Sequence, residues 1–400
     1  MASAAVIELP QFKGRPGWEF TDLSGFDPAA YAPAPAEAEL VAPDALFEAP
    51  EGAVRLLQVD GATDEGRAVD DGPVVLPLSV ARERHPELVE PHLGSIVDTA
   101  GDPFASWNAE AWEGGAFVYV PRGIRLEAPV LLTAVSQAAG TALHRRTLVV
   151  VEEGAEAEVW EQLESGTESD GTLVTTVVEL VVQQGARLRY VCGQDLNEKS
   201  WVFGAQRAEV ARDGYLDWVA VGFGAAKGRV RMETRLTGEG AEAKVTGAYA
   251  PHARQHIDFD TTQEHAAPNT ISDLAFRGIL ADRSTAVWKG NIIVDPGAQK
   301  TDAFQECRNL LVSKKAHADA IPGLEILAND VRCTHAAAVA QIDKEQLFYL
   351  RSRGLGEPVA KRLVIEGFLQ ELVERFDEGP FHDAVSGALE RRLAKVLGAT

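Results

Sequence analysis

The amino-acid sequence predicts a mainly β fold, in which short strands stack into a solenoid between flanking helical regions. Strand-like runs recur between residues 71 and 342, and each run is joined to the next by a turn containing Gly-Ala or Asp-Gly. Glycine and aspartate suit such turns because they tolerate positive φ angles better than most residues do. The turns lie at Gly154, Gly185, Asp213, Gly214, Gly240 and Gly297.

Alternation of side chains within the runs is the second observation. Leu188, for example, lies between Arg187 and Arg189, and a period of two residues is typical of strands with one buried face. The first four turn glycines are 31, 29 and 26 residues apart, which indicates an irregular structural repeat. A β-sandwich of hairpins is the alternative. The lack of Asn-Gly hairpin turns favours the solenoid.

The regions on either side of this core differ from it in amino-acid composition and in the spacing of apolar residues. Residues 1–70 are rich in Ala, Pro, Glu and Asp and predict a helical or irregular region, with a proline-rich loop or linker from Tyr31 to Pro50. Residues 343–400 predict three helices. Asp343 is placed to cap the first helix, Gly354 to end it, and Pro358 to lie in the first turn of the second.

Apolar residues recur on one side of the second and third of these helices, at helical spacing. In the second they are Val359, Leu363, Val364, Phe368, Leu372 and Val373, and in the third Phe381, Val385, Leu389, Leu393 and Val396. We expect the three helices to pack on each other, with an apolar face left for a partner as the alternative.

Composition and charge exclude several classes of protein. The 400 residues carry a net charge of −22, and a chain this acidic is repelled by the phosphate backbone of nucleic acids. We find no apolar run long enough to span a membrane and no secretory signal, so we expect a soluble cytoplasmic protein. Three cysteines, an odd and sparse set, also favour a reducing compartment.

Cys333 and His335 are the strongest candidates for chemistry. On a strand, residues two apart point to the same face, so the thiol and the imidazole would lie side by side. Together they suit a soft metal such as iron or zinc, or an activated nucleophile. A buried thiol beside a hydrogen-bonded histidine is the plainer interpretation, and the sequence alone slightly favours it.

Other polar residues are weaker candidates. His252, His256, Asp258 and His265 cluster in the sequence, but their spacing matches no metal motif, so structural histidines are expected. Cys192 and Cys307 are expected to pack in the core. Phosphate-binding glycine motifs and the Gly-x-Ser-x-Gly nucleophile elbow are absent from the sequence, which argues against an enzyme.

Several segments together resemble the SufB/SufD family of iron–sulfur cluster assembly proteins. They are HIDFDTTQEHAAPNTISDLAFRGIL, STAVWKGNIIVDPGAQKTDAFQECRNLLV, PGLEILANDVRCTHAAAVAQID and KEQLFYLRSRGL, with weaker likeness in WNAEAWEGGAFVYVPRGIRLEAPV and GWEFTDL. The resemblance implies a right-handed parallel β-helix with helical regions at both ends. It also implies a non-catalytic scaffold in a cytoplasmic complex with a SufB paralogue and the ATPase SufC.

Two alanines favour the SufD branch of this family over the SufB branch. The resemblance aligns Ala316 with a cysteine of SufB and Ala336 with a glutamate of SufB, both proposed cluster ligands, and alanine offers no donor atom. The SufD pattern retains Cys333 and His335, and the resemblance places this histidine at the interface with SufB. In this chain His335 is followed by Ala336, Ala337 and Ala338, where SufD usually has Gly-Ala-Thr.

The resemblance therefore predicts a partner site as well as a metal site. His335, supported by Cys333, would transiently hold iron or a cluster at the interface, with no cofactor held stably by this chain alone. The ATPase would dock on the C-terminal helices, around Leu347, Phe348, Tyr349, Arg351, Arg353 and Gly354. A homodimer without SufB, and a β-helix enzyme acting on polysaccharides, are the two alternatives.

Overall fold

The structure, a computed structural model, describes residues 8–10, 17–41, 45–48, 50–70, 72–166 and 171–398. Part of the predicted loop from Tyr31 to Pro50 lies outside these residues. So does most of the N-terminal stretch in which we found no secretory signal.

Two long sheets, here called sheet A and sheet B, form the core of the described chain. The strands of sheet A are β1 Ala32–Pro33, β4 Arg67–Ala68, β5 Val74–Pro77, β6 Gly114–Val120, β8 Thr141–Val151, β10 Leu173–Val182, β12 Trp201–Val210, β14 Lys227–Leu236, β16 His256–His265, β18 Thr285–Val294 and β20 His317–Ile326. The strands of sheet B are β2 Val54–Val59, β3 Ala62–Thr63, β7 Val130–Ser136, β9 Glu156–Ser165, β11 Arg187–Asp195, β13 Tyr215–Gly222, β15 Glu242–Tyr249, β17 Ile271–Leu280, β19 Asp302–Leu311 and β21 Arg332–Gln341.

Successive long strands alternate between the two sheets, and each pairs in parallel with the strand two further along the chain. The chain thus winds through about eight turns of a parallel β-solenoid, which confirms the predicted fold. The interior is filled by the inward-facing side chains of both sheets, including the fully buried Trp218, Phe276 and Trp288. Full burial of each such ring stabilises the fold by about 1.5–3 kcal/mol.

The predicted turns lie at the corners of the solenoid. Gly154, Gly185, Gly240 and Gly297 have φ angles between 63° and 90°, and at the remaining turn Asp213, rather than Gly214, takes the positive φ of 54°. The backbone N–H of Gly154 donates to the carbonyl of Gln184 one coil further on. These corners therefore stack on each other through main-chain hydrogen bonds, which is why the repeat is visible in the sequence.

The solenoid is closed at its N-terminal end. There β2 pairs antiparallel with β3, and β4, β5 and β6 form an antiparallel meander. Strand β2 already pairs in parallel with β7, so strands of the solenoid occur before residue 71. The helix found in the described part of residues 1–70 is a single 3₁₀ turn at Pro28–Ala30.

The helices are α1 Leu78–Arg84, α2 Pro86–Val89, α3 Pro103–Ala111, α4 Lys344–Ser352, α5 Glu357–Val373 and α6 Pro380–Leu397. The three predicted C-terminal helices are confirmed. Asp343 caps α4 by accepting the N–H of Glu345, Gly354 follows α4 with a φ of 93°, and Pro358 lies in the first turn of α5.

The helices contact each other in chain order, as predicted, but α5 and α6 also pack against the solenoid. Helices α5 and α6 lie on the outer face of sheet B, where Leu369 and Leu389 join a cluster with Val219 and Ile279. The small Ala360 lets α5 approach closely and is fully buried, whereas Val359 and Leu363 are 48% and 45% exposed. The predicted apolar face of α5 was therefore wrong in its first half, because contact with the sheet selected a different side.

Candidate functional site

The C-terminal end of the solenoid is open. Strands β20 and β21 are the last strands of their sheets, and each has a pairing partner on one side only among the described residues. We call the inward-facing residues of this last coil the open mouth. They are Ala318, Ala320, Pro322, Leu324 and Ile326 of β20, and Cys333, His335, Ala337, Val339 and Gln341 of β21.

The register identifies these residues as inward-facing. On β18 and β19 their partners include Trp288, Ile292 and Cys307, all of which are 0% exposed in the core. The inward positions of the last coil, on β20 and β21, also carry apolar side chains, but these are partly uncovered. Leu324 is 38% exposed and Val339 is 44% exposed. The open mouth is thus interior surface with no further coil to cover it.

Cys333 and His335 belong to the open mouth. Their strand is confirmed, and the register pairs Cys333 with Ala303 and His335 with Gln305 of β19. His335 is exposed and makes no hydrogen bond within the described residues. Cys333 is half-buried against the cluster that contains Ile292, and burial, followed by the nearby Asp302 carboxylate, raises the pKa of its thiol.

The floor of the open mouth is formed by the coil below it. Gln305 is completely buried, and its Nε2 donates to the carbonyl oxygens of Gly290 at 3.3 Å and Gly323 at 3.0 Å. Trp288 and Cys307 fill the interior beside it. A group bound at the mouth would therefore meet the Cys333 thiol and the His335 imidazole above a closed floor.

Cys307 and Cys192 lie deeper in the interior. The Cys307 sulfur contacts the Tyr249 hydroxyl at 3.5 Å, and burial raises the pKa of its thiol to about 11. Cys192 lines an internal cavity of about 40 Å³ together with Glu161 and Gln206, and burial raises its pKa to about 12. The high pKa keeps both thiols protonated at neutral pH, so neither is an activated nucleophile.

The histidine cluster of the sequence is not brought together. His265 faces the interior, between the hydroxyls of Thr270 at 2.8 Å and Ser272 at 2.9 Å. His256 and Asp258 lie on the outer face of the same strand. Separate partners hold them, because His256 contacts Thr285 while the Asp258 carboxylate accepts from Thr21 and Arg229.

His252 lies in the turn before β16, between Gln255 at 2.7 Å and the Glu198 carboxylate at 3.0 Å. Within the described ranges, no group of three or more His, Cys, Asp or Glu side chains is arranged to hold a metal ion. Cys333 and His335 supply two donor groups, so a four-coordinate metal at the open mouth needs ligands from beyond the described residues.

Residues predicted to bind the ATPase lie on and after α4. Phe348 and Tyr349 are 74% and 57% exposed, and Phe348 is the most exposed of the large hydrophobic side chains described. The guanidinium of Arg353 lies 5.1 Å from the centre of the Tyr349 ring. Leu347 is half-buried, and Arg351, Arg353 and Gly354 are exposed. The segment is thus accessible, with an aromatic and basic surface.

A comparison with models of known protein families shows which family has this architecture. The model described as "SUF system FeS cluster assembly, SufBD core domain" matches residues 134–368, which is more than half of the chain. The chain belongs to the SufB/SufD family. A second model of that family, the SufBD protein N-terminal region, matches residues 58–132, so the family likeness also covers the closed end of the solenoid.

Curated relatives within the SufB/SufD family include staphylococcal proteins named "Iron-sulfur cluster assembly SufBD family protein". The chain is 28% identical to that of Staphylococcus saprophyticus over 301 residues, which is 75% of this chain and 65% of the relative. It is 28% identical to that of Staphylococcus aureus strain USA300 over 290 residues, 72% of this chain and 62% of the relative. The match therefore spans slightly less than two thirds of these relatives. No helix in the described part of the chain is long and apolar enough to cross a membrane.

Sequence reasoning identified Cys333 and His335 as neighbours but missed what surrounds them. Gln305 and the exposed Leu324 were not singled out, although both lie at positions fixed by the alternation. Extending the period of two to the last strand, and asking which inward positions lack a following coil, would have found Leu324. Gln305 follows only from the register that pairs it with His335.

Proposed function

We propose that this chain is a SufD-type scaffold subunit, which pairs through its open mouth with a SufB-type paralogue and does not itself catalyse a reaction. The observation that carries the proposal is the asymmetry of the solenoid. One end is closed by antiparallel strands, while the other leaves apolar interior side chains and two strand edges uncovered. A second solenoid end would cover these apolar groups and pair the free strand edges.

Cys333 and His335 give this interface a chemical role. A thiol and an imidazole can each donate one ligand to iron or to a nascent cluster. Both lie at the mouth that the partner would cover, and the remaining ligands would come from the partner. The cluster is then cargo, held only while the two subunits are together.

The two alanines that indicated the SufD type support the same assignment. Ala316 is buried beside the start of β20, and Ala336 lies on the outer face of β21, in register with Glu306. Neither side chain has a donor atom. The SufB-type partner would therefore supply the cysteine and the carboxylate that these positions lack.

An ATPase of the SufC type is proposed to dock on the C-terminal helices. Phe348 and Tyr349 on α4 form an exposed aromatic surface, and aromatic residues are enriched where proteins bind each other. Helix α4 has no buried residue, and its contacts run to α5. A partner would therefore meet an accessible surface that the rest of this chain does not use.

The polysaccharide enzyme is disfavoured by the carboxylates on the outer faces of the sheets. Such enzymes need unpaired carboxyl groups that face one groove. Here Glu158 is paired with Arg189 at 3.1 Å, and Glu233 and Glu264 are paired with Arg207. All three cysteines are free, which fits a reducing compartment such as the cytoplasm.

Co-purification tests the proposed function. A tagged chain isolated from its native cells should carry a SufB-type and a SufC-type protein, and the complex should contain iron and acid-labile sulfide. His335→Ala should reduce the iron and sulfide, whereas His317→Ala should not, because His317 lies outside the mouth on the outer face of β20, next to Asp319. A chain that purifies only as a homodimer would contradict the pairing with SufB. Iron and sulfide unchanged in His335→Ala would contradict the ligand role.

A further inference from the structure

Gln305 presents an unused hydrogen-bond acceptor directly below the candidate ligand His335. Both amide hydrogens of Gln305 have carbonyl acceptors, at Gly290 and Gly323. Exchanging the amide oxygen and nitrogen would set the oxygen against these two carbonyls, so the orientation of the amide is fixed. Its Oε1 is buried and accepts no hydrogen bond from the described residues.

A buried amide oxygen that accepts no hydrogen bond destabilises the folded state, and buried amide oxygens in folded proteins usually have a donor. Two donors lie nearby. The indole Nε1–H of Trp288 also lacks a partner, but that ring is completely buried and its centre lies 6.3 Å from that of Phe276, so packing holds it. The imidazole of His335 is exposed and pairs in register with Gln305, so it is the donor that is free to turn.

We propose that Gln305 is a positioning residue for His335: its Oε1 accepts the N–H of one imidazole nitrogen and holds the ring over the open mouth. A histidine ring with one nitrogen engaged in this way keeps a single tautomer and leaves the other nitrogen unprotonated. That second nitrogen then faces outward with its lone pair free for a metal ion. Only the identity of the bound metal rests on the proposed function; the positioning is a property of this chain alone.

Among the described side chains near the His335 imidazole, Gln305 is the one that offers a free hydrogen-bond acceptor. The other inward residues of β21 nearest to His335 are Cys333 and Ala337, and the thiol is the one titratable group among them. Glu306 belongs to the outer face of β19, where Arg277 and Arg308 hold its carboxylate at 2.5 Å and 3.2 Å. Fixing one tautomer through a neutral amide does not require His335 to carry a charge.

Nitrogen NMR of the isolated full-length chain tests this directly. With ¹⁵N-labelled histidine, and with His335→Gln to assign the resonances, the two ring nitrogens report which of them carries the proton. In the wild-type chain we expect one tautomer in at least about fivefold excess, the ratio that one hydrogen bond of ordinary strength gives. Gln305→Met keeps the side-chain length and removes the acceptor, so it should return the tautomer ratio to that of a solvent-exposed imidazole.

Two further variants separate positioning from a general loss of packing. Gln263→Met makes the same change at a buried glutamine of β16, two strands away from β20 in sheet A, and should leave the His335 resonances unchanged. Gln305→Glu restores an acceptor and should restore a single tautomer.

Unchanged His335 nitrogen shifts in Gln305→Met would overturn the proposal. So would a change confined to the Trp288 indole N–H resonance, because the indole would then be the donor. The measurement uses neither a partner nor iron, so its outcome does not depend on whether the complex described above forms.

Discussion

The guanidinium of Arg392, on the last helix, lies 2.7 Å from the amide oxygen of Gln255, in the turn that leads into β16. The same guanidinium donates to the carbonyl of Ala250 at 2.8 Å, and Gln255 in turn donates to the carbonyls of Phe223 and Ala225. Arg392 is 3% exposed. One buried side chain thus links α6 to two successive coils of the solenoid.

Replacing this arginine should loosen the C-terminal helices. Arg392→Met keeps much of the apolar stem, but it leaves the Ala250 carbonyl without its donor and removes one donor from the Gln255 amide oxygen, which still accepts the backbone N–H of His252. We expect the free energy of unfolding to fall by about 2–4 kcal/mol, since hydrogen bonds to a buried charged group are lost. Urea denaturation measures this change. Arg362→Met is the control, because the Arg362–Glu366 pair is exposed and should contribute little to the stability.

Acid should destabilise the protein through two buried histidines. Burial lowers the pKa of His265 and of His144 to about 4, whereas an unfolded histidine titrates near 6.5. Between these values the unfolded chain binds more protons, so stability is lost as the pH falls from about 6.5 to about 4. Each histidine contributes up to about 1.4 kcal/mol per pH unit in that window.

Substituting one of the two histidines tests this assignment. In His265→Gln, the slope of the unfolding free energy against pH between 6.5 and 4.5 should decrease by about 1.4 kcal/mol per pH unit, which corresponds to one bound proton. The exposed His317→Gln should leave that slope as it is in the wild type. An unchanged slope in His265→Gln would show that this histidine is not the acid-sensitive group.

A rise in pH should destabilise the protein through the buried carboxyl group of Glu164. Burial, followed by the nearby Asp195, raises the pKa of Glu164 to about 8, while its Oε1 accepts the backbone N–H of Leu46 at 2.9 Å. The folded carboxyl therefore keeps its proton in a range where the unfolded one has lost it. Stability falls as the pH rises from about 4.5 to about 8.

Glu164→Gln mimics the protonated carboxyl at every pH and can still accept the Leu46 N–H. At pH 8.5 we expect the variant to be more stable than the wild type by at least about 1 kcal/mol, with little difference at pH 5. Thermal unfolding at both values measures the change. Equal melting temperatures at pH 8.5 would mean that Glu164 ionises in the folded protein at no cost.

The fold was largely predictable because the solenoid repeats. Positive φ at many corners favours residues such as Gly154 or Asp213, and alternation along the strands follows from the buried interior, so both signals recur along the solenoid. The face of α5 was harder to predict, because its contact with the outer face of sheet B decided it. Nothing local to α5 encodes the surface against which it lies.

The candidate site was predictable only in part, for the same reason. Cys333 and His335 lie two residues apart on one strand, so their shared face follows from local geometry. Gln305 lies 30 residues earlier in the chain and reaches the site through strand register. A histidine cluster close in sequence, by contrast, was divided between two faces of β16, since His256 and His265 are an odd number of residues apart.

Thiol labelling distinguishes the open mouth from the interior. In the native protein we expect iodoacetamide to react with Cys333 alone, because it is half-buried at the mouth while Cys307 is completely buried and Cys192 lies inside the solenoid. Burial raises the pKa of the Cys333 thiol, so the reaction should be slower than that of a free cysteine and should speed up with pH. Mass spectrometry should find one label in the native chain, three in urea, and none in native Cys333→Ser.

The same reaction reports whether a partner covers the mouth. If a SufB-type subunit pairs with this end of the solenoid, Cys333 should be protected from iodoacetamide in the complex. Adding a partner that binds only the C-terminal helices should leave the labelling rate as it is in the free chain, since α4 lies outside the mouth. Cys333 labelled equally fast in the complex and in the free chain would show that the two subunits meet elsewhere, and the uncovered apolar side chains of Leu324 and Val339 would then need another explanation.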